Sequence, residues 1–270
     1  MKTAIIIPAR WGSTRLPGKP LAMIAGRTML ARVAAIAKVA ANGDPLVNIV
    51  VATDDPRIAA HAAEIGVDAV MTPPECPTGT DRVHAAVAQL ASSPDFVINL
   101  QGDTPLTPPD FIGGLIDAYR KAPADVLTPV TNMNWEALDR LRESKKTTPH
   151  SGTVAVFDRQ TGMAHWFSKT ILPTMRKEEA LRAKEQFSPV WRHVGIYGYS
   201  RAMLDKYVTL PEGYYEKLEG LEQLRVLEHG YKIRCVPVDY RGRASMSGVD
   251  SPEDIARAEA LIAKHGELLP

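Results

Sequence analysis

The chain has 270 residues, 45% of them hydrophobic, with 32 lysines and arginines against 31 acids and a formal net charge of +1. That apolar content can bury one large core, or one core plus a smaller lobe, and the near-neutral balance excludes a global field that would gather nucleic acid or an anionic membrane. Apolar stretches break well before the roughly 18 residues of a membrane span, and the only cysteines, Cys76 and Cys235, lie outside any Cys-x-x-Cys or Cys/His cluster, so neither structural zinc nor a disulfide framework is expected.

The first element is a buried strand over Ile5-Ile6-Ile7, ended by Pro8 and followed by Ala9-Arg10-Trp11-Gly12-Ser13-Thr14-Arg15-Leu16-Pro17-Gly18-Lys19-Pro20. Gly12 and Gly18 permit close backbone approach to an anion, and Arg10, Arg15 and Lys19 supply charge. One cation about 4 Å from a phosphate oxygen contributes roughly 4 kcal/mol before desolvation at an effective dielectric near 20, so three of them suit a triphosphate. A P-loop is excluded, because five residues separate the two glycines and Pro20 stands where a magnesium-binding hydroxyl is needed. No Gly-x-Gly-x-x-Gly follows the strand either, which removes the dinucleotide fingerprint. An exposed basic turn is the alternative reading. The chain enters this strand directly, with no cleavable apolar segment before it, and a cytoplasmic location is expected.

Leu30, Val33, Ala34 and Ala37 then recur at helical spacing behind Thr28 as N-cap. A second strand over Ile49–Asp54 is followed by Asp55-Pro56, a cap and a proline at the first helical position, and a helix to about Ile65. Val67–Met71 is a third strand, Thr78-Gly79-Thr80-Asp81-Arg82 opens a helix, and Phe96–Leu100 is a fourth strand ending in Gln101-Gly102-Asp103. This alternation predicts an α/β fold, a mostly parallel sheet with helices on both faces, whose ligands gather at the carboxyl ends of the strands.

The second half is less regular. Strands are expected over Asp125–Val130 and Val154–Phe157, a surface helix over Glu136–Lys146, an exposed charged stretch over Arg176–Gln186 and a β-rich run over Arg192–Tyr199. A helix is expected over Tyr215–His229 and an edge strand over Ile233–Val238, which contains Pro237. Ser251 then caps a terminal helix with Pro252 at its first position and Asp250 just before it. With no linker or repeat, one domain over 1–270 is expected, a nucleotide-binding half at about 1–130 plus 230–270 and a smaller lobe at 131–229.

Asp103 and Asp250 each lie in a glycine-containing turn, and magnesium accepts one or two carboxylates together with phosphate oxygens and waters. Their ordinary alternatives are a turn aspartate and a capping residue.

The pattern Ile-Pro-Ala-Arg-x-x-Ser-Thr-Arg-Leu-Pro-Gly-Lys-Pro-Leu over residues 7–21 resembles the N-terminal motif of the 3-deoxy-manno-octulosonate (KDO) cytidylyltransferases, the CMP-KDO synthetases. Further stretches are similar to the same family: Thr78–Arg82, Gln101-Gly102-Asp103-Thr104-Pro105, Arg192–Tyr199, Leu221-Glu222-Gln223-Leu224-Arg225 and Gly248–Asp254, so the likeness spans the chain. It implies a nucleotide-diphospho-sugar-transferase-like (Rossmann-like) fold with a β-rich lobe for sugar binding and dimerisation. It also implies CTP and KDO or a related sugar acid as substrates, Mg²⁺ on Asp103 and Asp250, a homodimer, and a place in lipopolysaccharide or capsule precursor synthesis. On this resemblance Lys19, Arg10, Arg15, Asp103 and Asp250 are the catalytic set. Ala9, Arg10, Ser13, Lys19, Thr80, Asp81, Arg82 and Gln101 would bind nucleotide; Gln101, Lys169, Arg192, His193, Tyr197, Glu222 and Gln223 would bind sugar, with His193 a hydrogen-bond donor to carboxylate or hydroxyls. Two departures fall in the expected sugar region: the family's Val-Lys-Val-Val reads Thr153-Val154-Ala155-Val156, and its Phe-Ser-Arg reads Phe167-Ser168-Lys169. They favour one alternative, a sister enzyme for another acid sugar such as an amino-KDO; the other alternative, a nucleotide-binding regulator without turnover, is opposed by the intact Asp103, Asp250 and Lys19.

Overall fold

The structure, a computed structural model, describes residues 1–13, 15–243, 246 and 248–269; Thr14 of the first motif lies outside them. Ala4 to Ile7 of strand β1 (Thr3–Ala9) are each at most 1% exposed, so residues pointing to opposite sides are equally buried and the strand is covered on both faces.

From β1 the chain passes through a 3-10 turn (Lys19–Leu21) and a small ribbon of β2 (Met23–Ile24) and β3 (Arg27–Thr28) into α1 (Met29–Ala41). Then come β4 (Val47–Thr53), α2 (Pro56–Glu64), β5 (Asp68–Met71), α3 (Gly79–Val87), β6 (Phe96–Asn99) and α4 (Pro109–Lys121). The following elements are β7 (Val126–Asn134), α5 (Trp135–Thr147), β8 (Val154–Phe157), β9 (Ala164–Ser168), α6 (Glu178–Arg182) and β10 (Phe187–His193). Last are β11 (Tyr197–Ser200), α7 (Arg201–Tyr207), α8 (Tyr214–Glu219), α9 (Gln223–Glu228), β12 (Ile233–Val238) and α10 (Pro252–His265).

Two compact units result. The first comprises Met1–Pro123, Ile196–Val208 and Tyr240–Pro270; the second comprises Ala124–Gly195 and Thr209–Asp239. The division differs from the expected one at three places, 124–130, 196–208 and 230–239. Segment 196–208 joins the first unit because β11 runs antiparallel to β6, Gly198 opposite Ile98. Residues 233–238 join the second because β12 runs parallel to β7, Ile233 opposite Val126.

The sheet of the first unit has the order β5-β4-β1-β6-β11, parallel except for β11. Four helices start where hydroxyl or carboxylate caps are expected: Thr28, Asp55, Thr78 and Ser251 accept from the backbone N–H of Ala31, Arg57, Asp81 and Asp254. Beside this sheet Ile24, Met29, Leu106, Val249, Ala258 and Ile262 form a cluster that fastens α10 to the ribbon. Arg32, buried in α1, reinforces it by a paired contact to Glu267 at 2.7 and 3.0 Å.

In the second unit β7, β10, β8 and β9 form an antiparallel set. Met133, Leu138, Leu141, Val154 and Val190 pack together beneath α5. The expected helix over 215–229 is two helices, because Gly220 takes a left-handed conformation (φ 59°) and ends α8. The run 192–199 is likewise two strands, and α4 was not expected at all. The stretch 176–186 contains α6, which has no buried residue; Glu178 is nevertheless held by Arg142 and Arg182, which pull its pKa down to about 2.

Candidate active site

In this strand order the chain turns from one side of β1 to the other, and the segments following β1 and β6 open side by side at the carboxyl edge. The segment after β1 is the cationic loop; the segment after β6 carries Gln101-Gly102-Asp103. A Cβ on Gly102 would fall 2.6 Å from the Pro8 carbonyl oxygen, so only glycine lets the two segments lie this close.

Lys19 sits between the two aspartates. Its Nζ donates to Asp103 Oδ2 at 2.8 Å and to Asp250 Oδ1 at 3.0 Å, across 84 and 231 positions of sequence. Arg15 Nη2 reaches Asp250 Oδ2 at 3.2 Å, but its side chain is 68% exposed and the pair is worth little by itself. The backbone secures the arrangement, since Val249 N–H donates to the Asp103 carbonyl at 2.8 Å. Asp250 N–H in turn donates to Asp254 Oδ2 at 3.0 Å, in the first turn of α10. Burial pulls the Lys19 pKa down, but the charges and hydrogen bonds of Asp103 and Asp250 outweigh it, so the group is held above its ordinary value and stays an ammonium. Arg10 is exposed and makes no ion pair among the described residues.

These residues fit a divalent ion of the magnesium type. Asp103 and Asp250 turn oxygens toward one cationic point and remain 28% and 38% exposed, and no third His, Cys, Asp or Glu among the described residues completes a protein cage. Two carboxylates open to solvent and phosphate are the donor set that magnesium accepts.

The other nucleotide candidates divide. Ala9 is the buried end of β1, and Ser13 Oγ accepts from Leu16 N–H at 3.3 Å, bracing the loop. Gln101 Nε2 donates to Asn99 Oδ1 at 2.9 Å, and Asn99 Nδ2 to Thr80 Oγ1 at 3.2 Å. Asp81 is taken up by the capping box of α3, its carboxylate accepting from Thr78 N–H and Oγ1 at 3.2 and 2.7 Å. Arg82 is 2% exposed and donates to Thr72 Oγ1 at 2.6 Å and Asp54 Oδ2 at 3.0 Å. Asp54 also accepts from Trp11 N–H at 3.4 Å, which ties the cationic loop to the end of β4. The sequence reading passed over Asp54; its signal was a carboxylate at the carboxyl end of a parallel strand.

Of the sugar candidates, Tyr197 belongs to the first unit and Lys169, Arg192, His193, Glu222 and Gln223 to the second. Glu219 accepts from Ser168 Oγ at 2.7 Å and Lys169 N–H at 2.9 Å. Lys145, also missed in the sequence, donates to the Lys169 carbonyl at 2.6 Å; burial first, and then the charges of Arg192 and Lys169, hold its pKa below the ordinary lysine value. Arg192, Lys169 and the Glu219 carboxylate thus all lie within electrostatic reach of Lys145. Val154 is fully buried in the α5 cluster, so the position where the family has lysine is a core position here. Glu222 starts α9, and Gln223 is buried.

His193 is held neutral. Its Nε2 is 2.8 Å from Thr128 Oγ1 and its ring meets Phe167 edge to face at 5.2 Å, while burial lowers its pKa from 6.5 to about 3. A depressed histidine pKa means that the unfolded chain binds the proton first. Its stabilising share is complete above about pH 6.5 and fades as pH falls toward about 3, by up to about 1.4 kcal/mol per pH unit. Urea unfolding at a series of pH values is expected to show a shallower acid loss for His193→Gln than for the parent chain; parallel curves would refute the burial.

A sheet of this order, with a cationic loop facing two carboxylates at its switch point, defines a nucleotidyltransferase-type α/β protein. A cytidylyltransferase family profile matches residues 4–233. The 3-deoxy-manno-octulosonate cytidylyltransferase of Maricaulis maris is 46% identical over 270 residues, covering 100% of both chains, and that of Anaeromyxobacter sp. (strain Fw109-5) is 41% identical, covering 97% of each. A solved CMP:2-keto-3-deoxy-manno-octonic acid synthetase complexed with CTP superposes with a TM-score of 0.81 at 34% identity, covering 98% of this chain and 99% of the other. A Leptospira borgpetersenii cytidylyltransferase, at 17% identity and a TM-score of 0.59, shares the fold. The chain belongs to the 3-deoxy-manno-octulosonate cytidylyltransferase family.

Proposed function

We propose that this protein transfers the cytidylyl group of CTP to the anomeric hydroxyl of KDO or a closely related 3-deoxy-ulosonic acid. The hydroxyl oxygen bonds to the α-phosphorus, the bond from that phosphorus to the bridging oxygen breaks, pyrophosphate leaves, and the hydroxyl proton passes to solvent. The observation that carries this reading is the convergence of Lys19 with Asp103 and Asp250 on one point.

Arg10 and Arg15 bind the triphosphate from the loop, and Lys19 donates to its oxygens, placing fixed positive charge where the departing pyrophosphate develops negative charge. Asp103 and Asp250 would hold Mg²⁺, which supplies further charge neutralisation on the phosphates. Lys169 and Arg192 attract the sugar carboxylate, Arg192 as a planar fork and Lys169 as a point charge. Neutral His193 offers an N–H rather than a cation, and Tyr197, Glu222, Gln223 and Gln101 are the polar partners for hydroxyls. The same reading puts the protein in the cytoplasm as a homodimer, feeding lipopolysaccharide or capsule precursor synthesis; among the described residues no helix is long and apolar enough to cross a membrane.

A second reading, a sister enzyme for another acidic sugar, is favoured by buried Val154 and by Lys169 in place of arginine. Pyrophosphate release measured with CTP and a panel of sugar acids separates the two. Fastest release with KDO and its loss on chelation of Mg²⁺ are expected. Preference for an amino-KDO or another ulosonate would establish the sister enzyme, and no release with any acid would overturn transfer altogether.

A further inference from the structure

Trp11, next to the cationic Arg10, has no role in the transfer described above, yet it is held on several sides. Its carbonyl accepts from Ser13 N–H at 2.8 Å and Gly18 N–H at 3.3 Å, and its own N–H donates to Asp54. The outer edge of its indole lies 3.0–3.3 Å from where a Cβ on Gly18 would stand, and Gly18 has a φ of +67°. Both the space and the backbone conformation therefore require glycine. Gly18 N-caps the 3-10 turn whose first residue is Lys19.

The indole has a second partner. The guanidinium carbon of Arg57 stands 3.3 Å from the centroid of the Trp11 ring. Arg57 is itself fixed by Asp55, Nε to Oδ1 at 2.9 Å and Nη2 to Oδ2 at 2.6 Å, while Asp55 Oδ1 accepts the Arg57 N–H at 2.9 Å as the N-cap of α2. Each half has an ordinary purpose, a helix cap and a packed tryptophan. Together they run unbroken from α2 through Arg57 and the indole to Gly18, and Gly18 sets the direction in which Lys19 leaves the backbone.

We propose that Arg57 and Trp11 form a latch holding the phosphate loop in the shape that presents Lys19, with Arg57 a positioning residue acting through the indole. The latch rests on the transfer reading for its effect on rate, but not for its effect on the loop. An exposed guanidinium stacked on an indole is worth roughly a two- to fivefold change in an equilibrium, whereas displacement of a reacting group by about 1 Å can cost on the order of a hundredfold. Losing the stack is therefore expected to lower kcat by roughly threefold or more. KM for the sugar acid should stay unchanged, because the latch acts on the loop that presents Lys19 to the phosphates.

The test uses the whole protein and the variants Arg57→Ala, Arg57→Lys, Trp11→Leu and Arg57→Ala/Trp11→Leu. Hydrogen exchange at residues 15–21 is read first, since it needs no turnover. Exchange there should quicken severalfold in Arg57→Ala and return most of the way in Arg57→Lys, which keeps a cation above the ring. In pyrophosphate release the double variant should be no slower than Trp11→Leu alone. Unchanged exchange in Arg57→Ala, or losses that multiply in the double variant, would overturn the latch. A parent chain that releases no pyrophosphate while exchange still responds would instead refute the transfer reading and leave the latch standing.

Discussion

Replacing Lys19 with methionine is expected to lower CMP-sugar formation by a hundredfold or more at saturating substrates, with the fold retained. Methionine preserves an unbranched apolar stem, so the change is close to removal of charge alone. That charge stands between two carboxylates at 2.8 and 3.0 Å and keeps its proton well into the alkaline range, because Asp103 and Asp250 overcome the effect of burial. Single fixed donors aimed at developing charge are worth about 10²–10³ in turnover, which sets the scale. The raised pKa also fixes the sign of the pH effect: the Lys19 contribution is complete at neutral pH and is lost only as pH rises through a value above 10.5. Pyrophosphate release by purified Lys19→Met, with its circular dichroism spectrum compared with the parent's, provides the check; a loss below tenfold would remove Lys19 from the catalytic set.

The Gly198→Ala variant is expected to lose about 3 kcal/mol or more of stability and roughly 10 °C in Tm. The new methyl would stand 2.1 Å from Phe96 Cζ, and Phe96 has nowhere to retreat, being fully buried and stacked on Tyr119 at 4.1 Å. Either the ring or the pairing of β11 with β6 must give way. Calorimetry decides the matter, since a Tm within about 2 °C of the parent would show that this contact is slack.

The first unit was the more legible half because its signals are local. A proline closing an isoleucine run, and caps at Thr28, Asp55, Thr78 and Ser251, can be read over a few residues, and each stands where the sequence put it. Helix α4 was equally readable in principle: Phe111, Ile112, Leu115, Ile116 and Tyr119 recur on one buried face behind Pro109. It was missed because Pro108 offers no side-chain cap and two glycines interrupt the run. The second unit resisted for a different reason. Whether 215–229 forms one helix or two depends on Gly220 taking a left-handed turn, which lets Glu216 receive both ends of the Arg225 guanidinium at 2.7 and 2.8 Å. Nothing in the spacing of apolar residues announces that.

For the site, composition and periodicity supplied the loop and its cations, but the meeting of Asp103 with Asp250 came only through the resemblance. No local rule relates residues so far apart. Conversely, the motif marks Asp81 and Arg82 as a pair, while their side chains form a helix cap in one case and a buried tie to Asp54 and Thr72 in the other. Motifs mark segments; the hydrogen bonds decide which atoms within them remain available to a ligand.

The position of Asp250 has a bearing on how this protein is made. The lysine that awaits the phosphates emerges from the ribosome at residue 19, its first carboxylate at 103 and its second at 250, and α10 follows to fasten that last segment against the ribbon. A polypeptide released after residue 103 but before residue 250 has an ammonium with half its counter-charge and a bare apolar strip at Ile24 and Met29. Unfinished copies should therefore be inert and marked for disposal by the surface they expose, instead of consuming nucleotide at a reduced rate.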